Sequence, residues 1–158
     1  MTPLPATLAL PDEAATQALG RALAAALRTG EALCLSGPLG AGKSTLARAL
    51  VRALTTPDED VPSPTFTLVQ FYEGARLNVA HFDLYRLSSP DEAYEIGLDE
   101  ALDEGAVVIE WPERLEGGLP RDRLDIVIAL SDMGDSAGRE ARLTPHGAWE
   151  GRGLEFGS

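Results

Sequence analysis

The sequence predicts an α/β protein, because patterns typical of helices and of buried strands alternate along its 158 residues. Two runs, 32–35 and 106–109, are wholly apolar and of strand length, as expected for strands buried on both faces of a sheet. A glycine-rich stretch joins the first run directly to a helical pattern. These three observations favour a single domain over residues 1–158, with helices packed on a sheet.

The first part of the chain predicts a helix, a strand, a loop and a second helix, in that order. Residues 11–29 begin with Pro-Asp-Glu, which suits a first helical turn, and continue with apolar residues at three-and-four spacing up to Gly30. The strand 32–35 then leads through the glycines into residues 44–54, where Leu and Ala recur with the helical period.

An antiparallel hairpin is predicted after a proline-rich linker, 55–64. Residues 65–72 are rich in Thr, Phe, Val and Tyr, and a following Glu-Gly pair marks a turn. Residues 77–87 then alternate in character, so that His81 and Asp83 point to the same face of a strand.

The second half of the chain predicts a capped acidic helix and three further strands. Ser-Pro-Asp-Glu opens a helix that starts at Ser89 and runs to about Leu102. The buried strand 106–109 follows, then a strand over 124–130 and a possible last strand over 139–143.

The composition is strongly acidic, with 25 acidic against 13 basic residues and a net charge of −12. A protein that holds DNA or RNA unaided needs clustered Lys and Arg, so we expect neither here. The single cysteine, Cys34, excludes a disulfide framework and is typical of a reducing compartment. No apolar run approaches the roughly 20 residues of a membrane span, and the first residues lack the order of a secretory signal. We therefore expect a cytoplasmic protein without membrane contact.

The stretch GPLGAGKS, residues 37–44, carries the clearest chemistry. It matches G-x-x-x-x-G-K-[ST] between a predicted strand and a predicted helix, where backbone N–H groups and the helix N-terminus cradle phosphates. Lys43 is the one lysine among 13 basic residues, and a compact ammonium reaching the β- and γ-phosphates is what a planar guanidinium does not supply. The residues expected to bind the nucleotide are Gly37, Leu39, Gly40, Ala41, Gly42, Lys43, Ser44 and Thr45.

A nucleotide in this loop requires Mg²⁺, which prefers oxygen ligands. Ser44 supplies the hydroxyl. Asp83 and Glu110 are the two carboxylate candidates, and Glu110 fits better because it follows a buried strand directly. A solvated acid on a hairpin is the alternative for Asp83.

Three further features are candidate parts of the nucleotide site, and each also has an alternative explanation. Residues 63–67, SPTFT, include Thr65 and lie where many nucleotide hydrolases sense the γ-phosphate, although a plain connecting loop is the alternative. Trp111 is a candidate nucleotide contact or a packed aromatic residue. His81 shares the face of Asp83, but a structural histidine is the favoured interpretation.

Four segments go beyond a generic P-loop: "GPLGAGKSTLARAL", "SPTFTLVQFYE" and "HFDLYRLSSPDEAYEIGLDEAL", followed by "VVIEWPERL". In this order and spacing they resemble the TsaE (YjeE) family, small bacterial ATPases of the machinery that makes threonylcarbamoyladenosine in tRNA. The resemblance covers about 8–143, which we take as the core, whereas the glycine-containing tail 144–158 has no match and is expected to be frayed.

The resemblance implies a three-layer P-loop NTPase fold with a mixed, mostly parallel central sheet and flanking helices. It implies ATP and Mg²⁺ as ligands. It also implies that the protein supports the threonylcarbamoyl transferase subunit (TsaD), alongside the dimerising partner of that subunit (TsaB), and that it contacts tRNA only indirectly, through this complex. The roles it implies are phosphate and metal binding for Lys43 and Ser44, a Walker B aspartate at Asp83, a metal-associated glutamate at Glu110, a switch-like segment around Thr65, a nucleotide contact at Arg139, and an adenine-flanking region in "LPDEAA". Ser44 stands where the family mostly has Thr, which keeps the hydroxyl, and Pro38 stands where an acid is common.

The sequence thus predicts an ATPase that supports threonylcarbamoyl transfer. Its turnover is expected to be slow in isolation, since no arginine finger is identifiable and a partner would complete the site. Two alternatives remain: a P-loop small-molecule kinase with a lid formed by Arg114, Arg121 and Arg123, or a nucleotide-dependent binding module with negligible hydrolysis. GTP is disfavoured because the N-K-x-D motif needs a second lysine.

Overall fold

A computed structural model describes residues 1–38, 42–62, 67–130 and 138–156. In the described ranges, no helix is both long and apolar enough to cross a membrane. The elements are β1 (Thr2–Pro3), β2 (Ala6–Leu10), α1 (Glu13–Ala26), β3 (Ala32–Ser36), α2 (Lys43–Leu54), β4 (Val69–Tyr72), β5 (Val79–Asp83), α3 (Asp91–Glu95), α4 (Leu98–Glu104), β6 (Ala106–Glu110), β7 (Arg123–Leu130), β8 (Arg139–His146) and β9 (Gly153–Leu154), with 3₁₀ turns at Pro112–Leu115 and Gly147–Trp149.

Seven strands form one mixed sheet in the order β2-β8-β7-β3-β6-β5-β4. The four central strands, β7, β3, β6 and β5, are parallel to their neighbours within that group. Strand β8 is antiparallel to both β7 and β2, and β4 is antiparallel to β5. The predicted α/β class with a mixed central sheet and flanking helices is confirmed, and so is the predicted hairpin.

The sheet is covered by helices on both faces, which gives three layers. Because side chains alternate along a strand, Leu33 and Leu35 of β3 pack with α1 and α2, whereas Ala32 and Cys34 pack with α3 and α4 on the other face. The four residues of the apolar run in β6 are buried, as predicted, and so is Glu110 at its end.

The two helical predictions outside the loop region differ from the structure, one in length and one in continuity. Helix α1 ends at Ala26 rather than near residue 29, because Leu27 takes an extended conformation, and the Arg76 guanidinium donates hydrogen bonds to the carbonyls of Ala24 and Leu27 at this end. The acidic helix predicted from Ser89 is split into α3 and α4. Gly97, with φ of 98°, takes the left-handed conformation between them.

The predicted strands of the hairpin are also shorter in the structure. Strand β4 begins at Val69, and residues 65 and 66 of the predicted strand lie outside the described ranges. Strand β5 ends at Asp83 because the chain turns there, with the Leu87 N–H donating to the Leu84 carbonyl.

The prediction of a frayed tail is wrong for residues 144–156. Strand β8 continues to His146, β9 pairs with β1 near the N-terminus, and Trp149 is fully buried. Arg152 anchors this segment, because its guanidinium makes two hydrogen bonds of 2.8 and 2.7 Å to the buried carboxylate of Glu31. Its guanidinium carbon also lies 4.3 Å from the centroid of the Trp149 ring. Residues 157 and 158 lie outside the described ranges.

Candidate functional site

The candidate site lies at the carboxyl edge of the central strands. Strands β3, β5 and β6 run parallel, so their C-terminal residues Ser36, Asp83 and Glu110 reach the same edge. Asp83 is directly opposite Glu110 in the register, and Glu110 is opposite Leu35. The two carboxylates that the sequence offered as competitors are therefore neighbours, beside the strand that leads into the glycine-rich loop.

The described glycines of that loop adopt conformations that other residues avoid. Gly37 has φ of 142°, and a Cβ there would lie 2.2 Å from the carbonyl oxygen of Ile128 in β7. Gly42 has φ of 107° immediately before α2. Arg139 lies beside it, with Cδ 3.6 Å from the position of a Cβ at Gly42, so β8 brings this predicted nucleotide contact to the loop.

The central residues of the loop, Leu39, Gly40 and Ala41, lie outside the described ranges, and their predicted role in binding stays a prediction. The same holds for Thr65 in the switch-like segment. Its neighbour Thr67 is described, and its hydroxyl accepts a hydrogen bond of 3.1 Å from the Gln70 amide.

Lys43 begins α2 and is buried, with 5% of its surface exposed. Its Nζ makes no hydrogen bond to any group in the described ranges. The ammonium instead lies 3.8 Å from the centroid of the Trp111 ring. Trp111 is held in the left-handed region, with φ of 60°, directly after β6. A buried ammonium without a polar partner is costly, so this arrangement favours an anionic ligand.

The face of the sheet toward α2 carries a second group of buried polar side chains. His81 and Glu110 are 2% and 4% exposed, and His81 Nε2 lies 2.6 Å from Glu110 Oε2. Asp83 is also buried, and its carboxylate accepts a hydrogen bond of 3.1 Å from the Tyr85 N–H. The alternation of residues 77–87 had predicted that His81 and Asp83 share a face, but not that His81 contacts Glu110.

The residues at this edge fit a magnesium–nucleotide better than a metal held by protein alone. Within the described part of the chain, no group of three His, Cys, Asp or Glu side chains converges on one point. Mg²⁺ keeps waters and phosphate oxygens and takes few protein ligands, and Ser44, Asp83 and Glu110 offer only oxygen. The unpaired Lys43 ammonium and the N-terminus of α2 offer positive charge for the phosphates.

A groove of about 400 Å³ runs between α1 and α2 from this edge. Glu13 and Thr45, at the N-terminal ends of the two helices, both line it. Asp12, in the segment predicted to flank the adenine, caps α1 by accepting a hydrogen bond of 2.9 Å from the Ala15 N–H. The segment predicted to flank the adenine therefore lies beside the groove that Glu13 and Thr45 line.

Two of the three arginines in residues 113–123, the segment that would form a lid in the kinase alternative, make contacts within the fold. Arg123 opens β7, and its guanidinium donates to Asp125 and to the Pro120 carbonyl, both at 3.0 Å. The guanidinium carbon of Arg114 lies 5.7 Å from the centroid of the Tyr85 ring. Neither contact favours a mobile lid.

The family model and the similar proteins found for this chain all carry the same family description. The family model described as "Threonylcarbamoyl adenosine biosynthesis protein TsaE" matches residues 10–140. The chain is 39% identical over 119 residues to the tRNA threonylcarbamoyladenosine biosynthesis protein TsaE of Bacillus subtilis, covering 75% of this chain and 72% of that protein. It is 39% identical over 135 residues to the protein of the same name from Streptomyces coelicolor, covering 84% and 90%.

The fold is similar to a solved structure as well. The crystal structure of YdiB from Bacillus subtilis superposes with a TM-score of 0.73 at 31% identity, covering 90% of this chain and 86% of that one. The match of the family model over most of the chain, with relatives well above 30% identity, settles the assignment. This chain therefore belongs to the TsaE family.

Proposed function

We propose that this protein is an ATPase subunit that supports threonylcarbamoyl transfer in the synthesis of threonylcarbamoyladenosine in tRNA. In this proposal it binds ATP with Mg²⁺ and hydrolyses it to drive or reset the complex formed by the transferase subunit and its dimerising partner. The family membership supports the role in tRNA modification, and the geometry of the carboxyl edge supports the ligand.

One observation carries the choice of ligand: the ammonium of Lys43 is buried and makes no hydrogen bond within the described ranges. Folding alone would favour an apolar residue at this position, because a buried charge without a polar partner is destabilising. An anion at the start of α2 would satisfy the ammonium and the free N–H groups of the helix at the same time.

The chain's own residues supply positioning and charge. Lys43 and the N-terminus of α2 would hold the phosphates of the nucleotide and stabilise negative charge that develops during hydrolysis. The Ser44 hydroxyl would bind the metal, and Asp83 and Glu110 would orient its waters and the attacking water. Mg²⁺, when bound, would neutralise charge on the β- and γ-phosphates. In this proposal hydrolysis is slow without the partner subunit, and Arg139, which β8 brings beside Gly42, would contact the nucleotide.

A titration of ATP into the purified protein, with and without Mg²⁺, tests the ligand. We expect magnesium-dependent binding that is abolished in Lys43→Ala. Glu100→Ala removes an exposed acid on α4 and serves as the control, with binding equal to the wild type. A wild-type protein that takes up no ATP in the presence of Mg²⁺ would rule out the proposed ligand.

Nucleoside analysis of bulk tRNA tests the role in cells. Depletion of this protein should lower threonylcarbamoyladenosine, and Lys43→Ala or Glu110→Ala should fail to restore it, whereas Glu100→Ala should restore it fully. Unchanged threonylcarbamoyladenosine content in cells that carry only the Lys43→Ala or Glu110→Ala variant would count against this role.

A further inference from the structure

We propose that His81 is a positioning residue for Glu110: it fixes the carboxylate so that a single oxygen faces the nucleotide site. The proposal rests on the function proposed above. It starts from the 2.6 Å contact between His81 Nε2 and Glu110 Oε2, in which both side chains are almost completely buried. The sequence had favoured a histidine with a purely structural role.

The hydrogen bonding of His81 differs from that of a histidine kept only for packing. A histidine buried for structural reasons is expected to have both ring nitrogens satisfied, because unpaired buried polar groups are destabilising. Here Nδ1 is buried and has no partner within the described ranges. An apolar side chain would fill the same space in β5 without that penalty. The bond to Glu110 is therefore the one described interaction that favours histidine at this position.

The unpaired nitrogen also indicates where the proton lies. If Nε2 accepted the hydrogen bond, the imidazole N–H would lie on Nδ1, leaving a buried donor without an acceptor. If Nε2–H donates to Glu110 Oε2, Nδ1 presents only a lone pair. Orphaned buried N–H groups are rarer than under-satisfied acceptors, so we assign the proton to Nε2.

The consequence for Glu110 follows from its main chain and its torsions. Its backbone is fixed because β6 is hydrogen-bonded on both sides, to β3 and to β5. The last torsion of a glutamate side chain is broad, so the strand alone does not fix the carboxylate plane. The bond from His81 holds one of the two carboxylate oxygens, Oε2. Oε1 is thus the oxygen left to face the Mg²⁺–nucleotide.

Two substitutions separate positioning from packing. His81→Gln keeps an N–H donor at a similar reach, and His81→Leu fills the space without a donor. We expect His81→Leu to weaken the magnesium-dependent part of ATP binding about 10-fold or more, as for other residues that orient metal-associated carboxylates. ATP binding measured in EDTA should stay unchanged, and His81→Gln should recover most of the loss. His146→Leu alters the other histidine, which pairs with Asp125 at 2.9 Å, and should bind as the wild type does.

A double-mutant cycle gives the sharpest test. In the Glu110→Gln background, His81→Leu should have no further effect on the magnesium dependence, because the group through which His81 acts has been changed. Equal losses in both backgrounds, or equal losses with and without Mg²⁺, would show that His81 acts through packing and would overturn the proposal.

A spectroscopic measurement keeps the proposal testable if a variant at position 81 does not fold. The ¹⁵N-imidazole spectrum of the wild-type protein contains signals from two histidines, and His146→Leu assigns them. We expect His81 to carry its proton on Nε2, with a hydrogen-bonded shift that changes in Glu110→Gln. A proton on Nδ1 alone, or no response to Glu110→Gln, would contradict the proposal.

Failure of this inference is distinguishable from failure of the proposed function. If the wild type shows no magnesium-dependent ATP binding, the proposed function fails. If the wild type binds and His81→Leu leaves that binding intact, only the inference about His81 fails.

Discussion

Replacing Lys43 by methionine should affect the free and the nucleotide-bound protein in different ways. In the free protein the ammonium is buried without a hydrogen bond in the described ranges, which costs about 1–3 kcal/mol or more for a charged group. The cation–π contact of this ammonium with the Trp111 ring stabilises the folded protein by about 2 kcal/mol, because both groups are removed from water. These terms nearly cancel, so Lys43→Met should change the free energy of unfolding of the free protein by less than about 1 kcal/mol, or raise it.

The bound protein should respond strongly. Saturation with Mg²⁺–ATP at about 100 times Kd stabilises a protein by roughly 2.7 kcal/mol. For a chain of this size that corresponds to a rise in Tm of about 5 to 11 °C. We expect this rise in the wild type and none in Lys43→Met.

Thermal unfolding with and without Mg²⁺–ATP measures both effects. Arg52→Met is the matched control, because Arg52 lies exposed on the same helix and donates a 3.0 Å hydrogen bond to the Glu59 carbonyl. It should lose about 1 kcal/mol of stability and keep the full ATP-induced rise. The reasoning is refuted if Lys43→Met loses more than about 2 kcal/mol in the free protein, since the ammonium would then have a stabilising partner at rest. Retention of the ATP-induced rise would refute it equally.

Three further predictions concern the fold that holds the site. Arg152→Ala should lower the free energy of unfolding by about 3–5 kcal/mol in urea titrations, because it leaves the buried Glu31 carboxylate without its partner; a loss below about 1 kcal/mol would mean that the tail is not anchored. Gly37→Ala should lower the yield of folded protein or its Tm sharply, since a Cβ would overlap a carbonyl 2.2 Å away, whereas Gly117→Ala, where nothing lies within 4 Å, should be nearly neutral. Burial, reinforced by the charge of Asp125, raises the pKa of the Cys34 thiol well above its usual range, to about 12. Ellman's reagent at pH 8 should therefore label the thiol only after unfolding, and because the unfolded chain loses the proton first, the free energy of unfolding should fall as pH rises from about 9 to about 12.

Local patterns in the sequence were sufficient to predict the strand, loop and helix around Lys43. The glycine-rich motif has a fixed length, and its neighbours show clear strand and helix periods. The alternation along 77–87 likewise predicted that His81 and Asp83 share a face, because side chains in a strand alternate whatever they pack against.

Long-range pairings could not be predicted in the same way. The choice between Asp83 and Glu110 depended on which strands are neighbours, and the register places the two residues side by side. The tail was misjudged because its anchor is a contact between Arg152 and Glu31, 121 positions apart, which no local period reveals. The split of the acidic helix at Gly97 was detectable in principle, since an interior glycine weakens a helix.

The position of Trp111 connects the buried ammonium to the protein surface. Lys43 Nζ lies 3.8 Å from the centroid of the Trp111 ring, the Tyr85 ring lies 4.9 Å away, and Tyr85 is half exposed. The guanidinium of Arg114 lies over Tyr85 in turn. A lysine that turns toward a phosphate must leave the Trp111 ring, and the backbone of Trp111 continues directly from Glu110, the carboxylate proposed to steer the metal's waters. Nucleotide binding would therefore act on one short segment from two directions, through the ammonium and through the carboxylate. Through Tyr85 and the exposed Arg114, this segment also contacts the protein surface.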